Sequence, residues 1–388
     1  QADARAAGST PYVLQSSGGF TAALSVLGDV DWLGLDVQGG ERLSLIAQGA
    51  GDQPVEDFGI ITTLRAADGT VLATESGFSY DGSWINWANT ADGARRVFLE
   101  ISGFGPNDTD GYEITRTPRP IAPALDLDSY ANRLAGEGRG WQLGPDGEIA
   151  VDLTGLDATG QGLARAALSA WSRTTGIAFV EAQSSGGIVF GSDAAGAFTQ
   201  TQLGDAGAIV GAFVNVGADV FAIGGSQIGG ATWLAFLQEI GRALGLENIS
   251  GEAAAGAEFA NDNWQFSALS NHAAVGASWA IPLTPMPADL AALDLIYDAS
   301  GARGAGDSTY GPAATGGAYA DLAARLALNA VTLVDEAGVD HLDLSQVLRP
   351  QRIDLAPGTV SDVAGLTGNL TIAPGTLIVE VTGGTGAD

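Results

Sequence analysis

The sequence predicts a multidomain chain of three unlike parts: an antiparallel β-sandwich at the N-terminus, an α+β domain in the centre and a β-rich segment at the C-terminus. Three observations predict it. The length, 388 residues, exceeds one typical domain. Apolar residues recur at helical spacing only in the middle of the chain and alternate in strand fashion on both sides of it. The 57 glycines punctuate the alternating runs with turn pairs such as DG and GG.

Residues 1–118 are the expected sandwich. The runs ERLSLIAQG, GIITTLRAADGTVLATES, RRVFLEISG and YEITRT alternate between Pro11 and Thr117 and are joined by turn signals. Trp32 sits at strand spacing, where an indole is more often core than a surface contact. The stretch Thr117 to Pro123 holds three prolines in seven residues, which favours extended backbone and marks a linker.

Residues 119–300 are the expected α+β domain. A first helix, GQGLARAALSAWSRTTG, puts Leu163, Ala167, Ala170 and Trp171 on one face. Strands IAFVEA and GGIVFGSD follow, then a helix from Ala231 to Asn248 and a third in PADLAALDLIYDAS. Residues 301–388 lose helical period after about Leu328. The runs HLDLSQV, QRIDLAPG, NLTIAPG and TLIVEV read there as short strands between Gly, Pro and Asp. The closing GGTGAD fits the start of the calcium-binding repeat G-G-x-G-x-D. Because the chain begins with Gln and stops inside that pattern, both ends are expected to be processed or cut.

A hydrophobic fraction of 46% supports real cores. The net charge is −29, and all 16 basic residues are arginine. So acidic a surface repels phosphate backbones, which excludes nucleic acid as a partner. It attracts divalent cations, calcium above all; the plainer reading is that the charge confers solubility. The absence of Cys excludes disulfides, thiol catalysis and cysteine-ligated metal. No apolar run of ~18 residues spans a membrane, and no signal peptide is visible.

One helix carries a recognisable pattern. Zinc peptidases of the metzincin type use H-E-x-x-H-x-x-G-x-x-H, in which two histidines one turn apart face the metal, a glycine turns the chain toward a third, and the Glu activates the bound water. Here the matching stretch is Gln238 to Asn248, QEIGRALGLEN. Glu239 and Gly245 are retained, but Gln238, Arg242 and Asn248 stand at the three histidine positions. With EIGRALGL, AALSAWSRTTGIAFVEA, GGIVFG, QFSALSN and TPMPADLAALDLIYDAS, the chain resembles the serralysin group over roughly residues 124 to 388. The resemblance implies a metzincin-like central domain followed by a β-roll of the RTX type. It also sets Leu269 at the methionine of the family's turn and Asn271 at its tyrosine. The stretches GDVDWLGLDVQGGERLSL, RAADGTVLA and DGYEITRT resemble the bacterial pre-peptidase C-terminal domain, a sugar- or protein-binding accessory sandwich.

The chain has only two histidines, His272 and His341, so a three-histidine zinc site cannot form within it. Gln and Asn are weak neutral ligands for zinc, and Arg242 places a permanent cation near the vacated metal position. Glu239 and Arg242, three apart on a helix, are expected to pair and fill the old cavity with Gln238 and Asn248. A catalytic role for His272, near the site in sequence, stays open, although a lone histidine is more often structural. The resemblance further implies calcium at Asp335, Asp340, Ala337, Gly304, Gly306 and Ser308, where six hard oxygens suit that ion. A second family site would use Gly338, Asp340 and a Glu; Val379 stands at the aligned position, with Glu380 next to it.

The expectation drawn from all this is a chain that is not an enzyme: an exported, calcium-stabilised pseudopeptidase without zinc, from a Gram-negative bacterium using type I secretion. It would act extracellularly as a scaffold, adhesin or assembly subunit, with itself or another extracellular protein or glycan as partner. The alternatives are a monomeric peptide- or glycan-binding module and a residual metallopeptidase.

Overall fold

The computed structural model describes residues 12–15, 18–24, 29–49, 59–78, 83–89, 91–103, 111–120, 124–143, 147–182, 186–249, 259, 261–272, 280–297, 303–304, 306–311, 319 and 322–386. The last three linker residues, 121–123, and the final Ala387 and Asp388 of the repeat motif lie outside the described residues. The architecture is a strand-rich mixture of α and β. Contacts divide it into two compact units, Gln1–Ala124 with Ser250–Ala260, and Leu125–Ile249 with Asn261–Asp388.

The first unit contains β1 (Val13–Leu14), β2 (Gly18–Ala23), β3 (Val30–Val37), β4 (Glu41–Gly49), β5 (Gly59–Ala66), β6 (Val71–Phe78), β7 (Ser83–Ala88), β8 (Arg95–Gly103) and β9 (Gly111–Pro120). They form two sheets, β1-β3-β8-β5-β6 and β2-β9-β4-β7. Every pairing is antiparallel except β1 with β3, which is parallel. Alternation drives this unit, since Leu33, Leu35 and Val37 on β3 and Val97, Leu99 and Ile101 on β8 are all buried. Trp32, one residue out of that phase, is half-buried.

The second unit opens earlier than the sequence suggests, with helix α1 (Leu127–Ala135) and strand β10 (Glu148–Gly155) ahead of the long helix α2 (Ala158–Thr175). Then come β11 (Ala178–Glu181), β12 (Ile188–Gly191), β13 (Ala197–Leu203), β14 (Ile209–Val216), α3 (Ala218–Gly224) and α4 (Ala231–Ala243). Asp157 caps α2 by accepting from Gly160 N at 2.7 Å, and Gly176 ends it in the left-handed region at φ 76°. The sheet order is β11-β10-β12-β14-β13. Its first four strands run parallel, and only β13 at the edge is antiparallel. This departs from a plain α+β layout: β10 and β11 are joined through α2, and such a crossover returns the chain in the same direction.

The remainder is β15 (Ile281–Pro282), α5 (Pro287–Tyr297), β16 (Thr309–Tyr310), α6 (Leu322–Arg325), β17 (Asn329–Leu333), β18 (Asp340–Asp343), β19 (Val360–Ser361), β20 (Leu370–Ile372) and β21 (Ile378–Thr382). The ladders β15-β17-β20 and β16-β18-β21 are parallel. The segment from 301 lies in the same unit as the central one and shares its core. Trp171, Trp233 and Phe236 belong to one buried cluster with Tyr310, Leu333 and Ile372. Burial of each such side chain contributes about 1.5–3 kcal/mol.

Candidate functional site

Helix α4 is held by its apolar stripe. Trp233, Phe236, Leu237, Ile240 and Ala243 are buried, and Leu237 O accepts the indole N–H of Trp171 at 3.0 Å. Gly241 lets Trp171 and Leu269 close on the helix: an added Cβ would lie 2.8 Å from the indole and 2.9 Å from Leu269 Cδ1. The helix ends at Ala243, five residues short of the sequence expectation. Gly245, at φ 101°, turns the chain there, so Asn248 lies off the helix.

The turn brings together three of the predicted site residues, Glu239, Arg242 and Asn248. Arg242 donates to Glu239 Oε1 through Nη1, and to Asn248 Oδ1 through Nη2 at 2.9 Å and Nε at 3.3 Å. Glu239 Oε2 accepts from Thr199 Oγ1 at 2.8 Å, so strand β13 supplies the second contact. Gln238 turns the other way and donates through Nε2 to Ala268 O at 3.0 Å and Ser270 O at 3.1 Å. Leu269 is buried and Asn271 half-buried in that same turn. Glu239 is 2% exposed, and burial pushes its carboxyl up against the opposing pull of Arg242 and Thr199.

Sequence reasoning missed two residues here. Thr199 has no local signal, being forty residues away on an edge strand. Asp289, in the first turn of α5, sits under the 267–271 turn and is fully buried. It accepts from Ser267 Oγ at 2.5 Å and from Ala268 N and Met286 N at 2.8 Å. Burial pushes its carboxyl up to about 6 despite these hydrogen bonds. The PAD run that starts α5 was its signal, since an acidic residue in a first helical turn often satisfies free N–H groups.

Zinc does not fit this set. The amide of Gln238 is spent on two carbonyls, and the guanidinium of Arg242 already neutralises Glu239. His272 is buried with its backbone N–H on Ser270 Oγ at 3.1 Å. His341 lies on β18, with Nε2 2.8 Å from Thr382 Oγ1.

The second acidic locus is different. Asp335 and Asp340 are each 1% exposed. Tyr310 donates to Asp335 Oδ2 at 2.7 Å and Ser308 N to Asp340 Oδ1 at 2.8 Å, while buried Asp340 Oδ2 has no hydrogen-bond partner. Burial pushes the Asp340 carboxyl up, and the charges of Asp335 and Asp307 add to it. Gly304, at φ 73°, lies so close to the Asp335 carboxylate that any side chain there would collide with it. Ser308, Gly304 and Gly306 border the same place, with Ala337 N 3.5 Å from Asp335 Oδ1. An orphaned buried carboxylate oxygen in a glycine cradle fits a hard cation. Among the described residues no group of three or more His, Cys, Asp or Glu gathers, so such a cation would rely on the two aspartates and on backbone oxygens. Val379 is 49% exposed, and on β21 it is Glu380 that pairs with His341.

Comparison with known proteins supports a serralysin-family relationship. A family described as Peptidase M10 serralysin C terminal matches residues 302–388. Among relatives, Serralysin C of Dickeya chrysanthemi is 36% identical over 167 residues, 39% of this chain and 34% of that protein. Metalloprotease AprA of Pseudomonas entomophila (strain L48) is 28% identical over 313 residues, 69% of this chain and 64% of that one. The chain thus spans about a third of the length of the serralysins it matches at 36% and 35% identity. The solved pre-peptidase C-terminal domain of collagenase from Bacillus anthracis aligns with 27% of this chain and 93% of its own length at 11% identity, but its TM-score of 0.23 is too low to argue a shared fold.

These matches correct the expectation that the chain is not an enzyme. The relatives are named as proteases, and kinship with them points to protease activity. The missing histidines are a fact about the metal ligands and do not by themselves decide turnover. Among the described residues no helix is long and apolar enough to cross a membrane.

Proposed function

We propose that the chain is an exported, serralysin-related protein that engages extended peptides along the outer edge of β13, beside Glu239. The carrying observation is the position of β13. It is the edge strand of its sheet, residues 200–203 are exposed, and Thr199 at its centre contacts the carboxylate of Glu239. An open strand edge offers unpaired N–H and C=O groups to an incoming peptide, which adds as a further strand. Glu239 is the proton acceptor to which protease activity would be traced, and no step is assigned to zinc. Calcium held by Asp335 and Asp340, with backbone oxygens of Gly304, Gly306, Ser308 and Ala337, stabilises the C-terminal segment after export. The N-terminal unit serves as an accessory sandwich.

The test uses a fluorescein-labelled casein peptide, read by anisotropy for binding and by mass spectrometry for cleavage. Successive N–H groups on a strand point to opposite sides, so Gln200→Pro and Thr201→Pro between them remove one outward donor. One of the two is expected to weaken binding about tenfold, the share of one or two hydrogen bonds. Any cleavage is expected to fall in Glu239→Gln. Equal binding by the wild type and both proline variants sinks the β13 reading.

A further inference from the structure

A cleft outside the α4 site lies between α2 and the Asp335 locus. It has a volume of about 760 Å³, within the range of small-ligand sites. One wall is a stripe of α2 at helical spacing: Arg165, Leu168, Ser169, Ser172 and Arg173. The opposite wall is Gly304, Ser308, Tyr310 and Asp335, and Phe179 and Glu181 of β11 close the side. The two arginines differ. Arg165 is committed to Glu181, at 2.5 and 2.9 Å. Arg173 makes no ion pair among the described residues; it rests 5.5 Å over the ring of Tyr319, which stacks edge-on with Tyr310 at 5.3 Å.

An exposed guanidinium over an aromatic ring, in a chain of net charge −29, offers a contact to an anion. Yet Asp335 and Glu181 line the same cleft and would repel a bare anion. A ligand that carries both a carboxylate and hydroxyl groups resolves the conflict. The carboxylate meets Arg173, while the hydroxyls meet Ser169, Ser172, Glu181 and the calcium locus.

We propose that this cleft binds a uronic-acid sugar, gripped by Arg173 and completed by the outward side of the calcium site at Asp335, Gly304 and Ser308. The inference rests on the calcium reading above. The experiment separates the two by using terbium in place of calcium. Tyr310, bonded to Asp335, lies close enough to sensitise terbium emission. Emission without sugar tests the metal site alone, and its absence there overturns the calcium reading and this proposal with it. With emission present, glucuronate is expected to bind in calorimetry and to lower the number of metal-bound waters, read from lifetimes in H2O and D2O. Arg173→Ala is expected to weaken glucuronate at least tenfold and Arg173→Lys less, with sugar-free emission unchanged in both. The proposal is overturned if terbium binds but its waters do not change with glucuronate. Equal binding of neutral glucose, tighter binding of tetraglutamate, or an undiminished affinity in Arg173→Ala would overturn it as well.

Discussion

The second unit holds two buried acidic sites that solve the same electrostatic problem differently. At α4 the carboxylate of Glu239 comes with its own cation, Arg242, and with the hydroxyl of Thr199. At the 304–340 locus Asp335 and Asp340 are as deeply buried but are met by a tyrosine hydroxyl and two backbone N–H groups, with no cation among the described residues, and one carboxylate oxygen is left over. Burying a charge without a partner costs several kcal/mol, so the first site is balanced by its own side chains while the second leaves a buried carboxylate oxygen unmet.

The comparison breaks most visibly if histidines are placed at positions 238, 242 and 248. The triple variant Gln238→His, Arg242→His and Asn248→His is expected to retain stoichiometric zinc through dialysis, read by elemental analysis, with about 10 kcal/mol of apparent binding energy. Loss of the metal would mean that the three positions do not converge. Next in size, Arg242→Met should cost about 3–5 kcal/mol in denaturant unfolding, because it strands Glu239. Adding Glu239→Gln should recover most of that loss, which a purely packing role for Arg242 would not allow.

Calcium sharpens the other half. At a hundredfold excess over its dissociation constant it should add about 2.7 kcal/mol, a rise of several degrees in calorimetry, and EDTA should reverse it. Asp335→Asn or Asp340→Asn should abolish the calcium increment and leave the Arg242 effects intact.

Asp289 is a third case, a buried carboxylate held by dipoles alone. Its folded value, about 6, lies above the ordinary 3.8. The folded state therefore binds its proton more tightly than the unfolded chain. Its contribution to stability is fully present below about pH 4 and is lost as pH rises through 6. Unfolding measured between pH 5 and 7 should show a decline of about 1–2 kcal/mol that disappears in Asp289→Asn. The smallest effect is expected for Thr199→Val, about 1 kcal/mol, with the Glu239 carboxyl pushed further up by loss of the donor.

Much of helix α4 was legible. Glu239 and Gly245 stand at their motif positions, and the three-residue spacing of Glu239 and Arg242 gave their ion pair. Asn248 was singled out by the motif but not as an acceptor for Arg242, because the helix ends at Ala243 and the backbone turn creates that contact. The parallel sheet was missed: short apolar runs such as AFVE and IVFG look alike in parallel and antiparallel strands. Helix α1 and strand β10 lie ahead of α2 in a stretch where no element was expected.

The sequence by itself determined the charge of −29, the absence of Cys and Lys, and the impossibility of three histidine ligands with only His272 and His341 present. Those are matters of composition and need no fold. Only the tertiary structure decided which acids are neutralised. Thr199 meets Glu239 across forty residues, Asp289 meets Ser267 across the turn, and Asp340 is left with a spare oxygen. Such outcomes depend on burial and on long-range approach, because a carboxylate's cost is set by how much water it loses and by what the folded chain puts in the water's place.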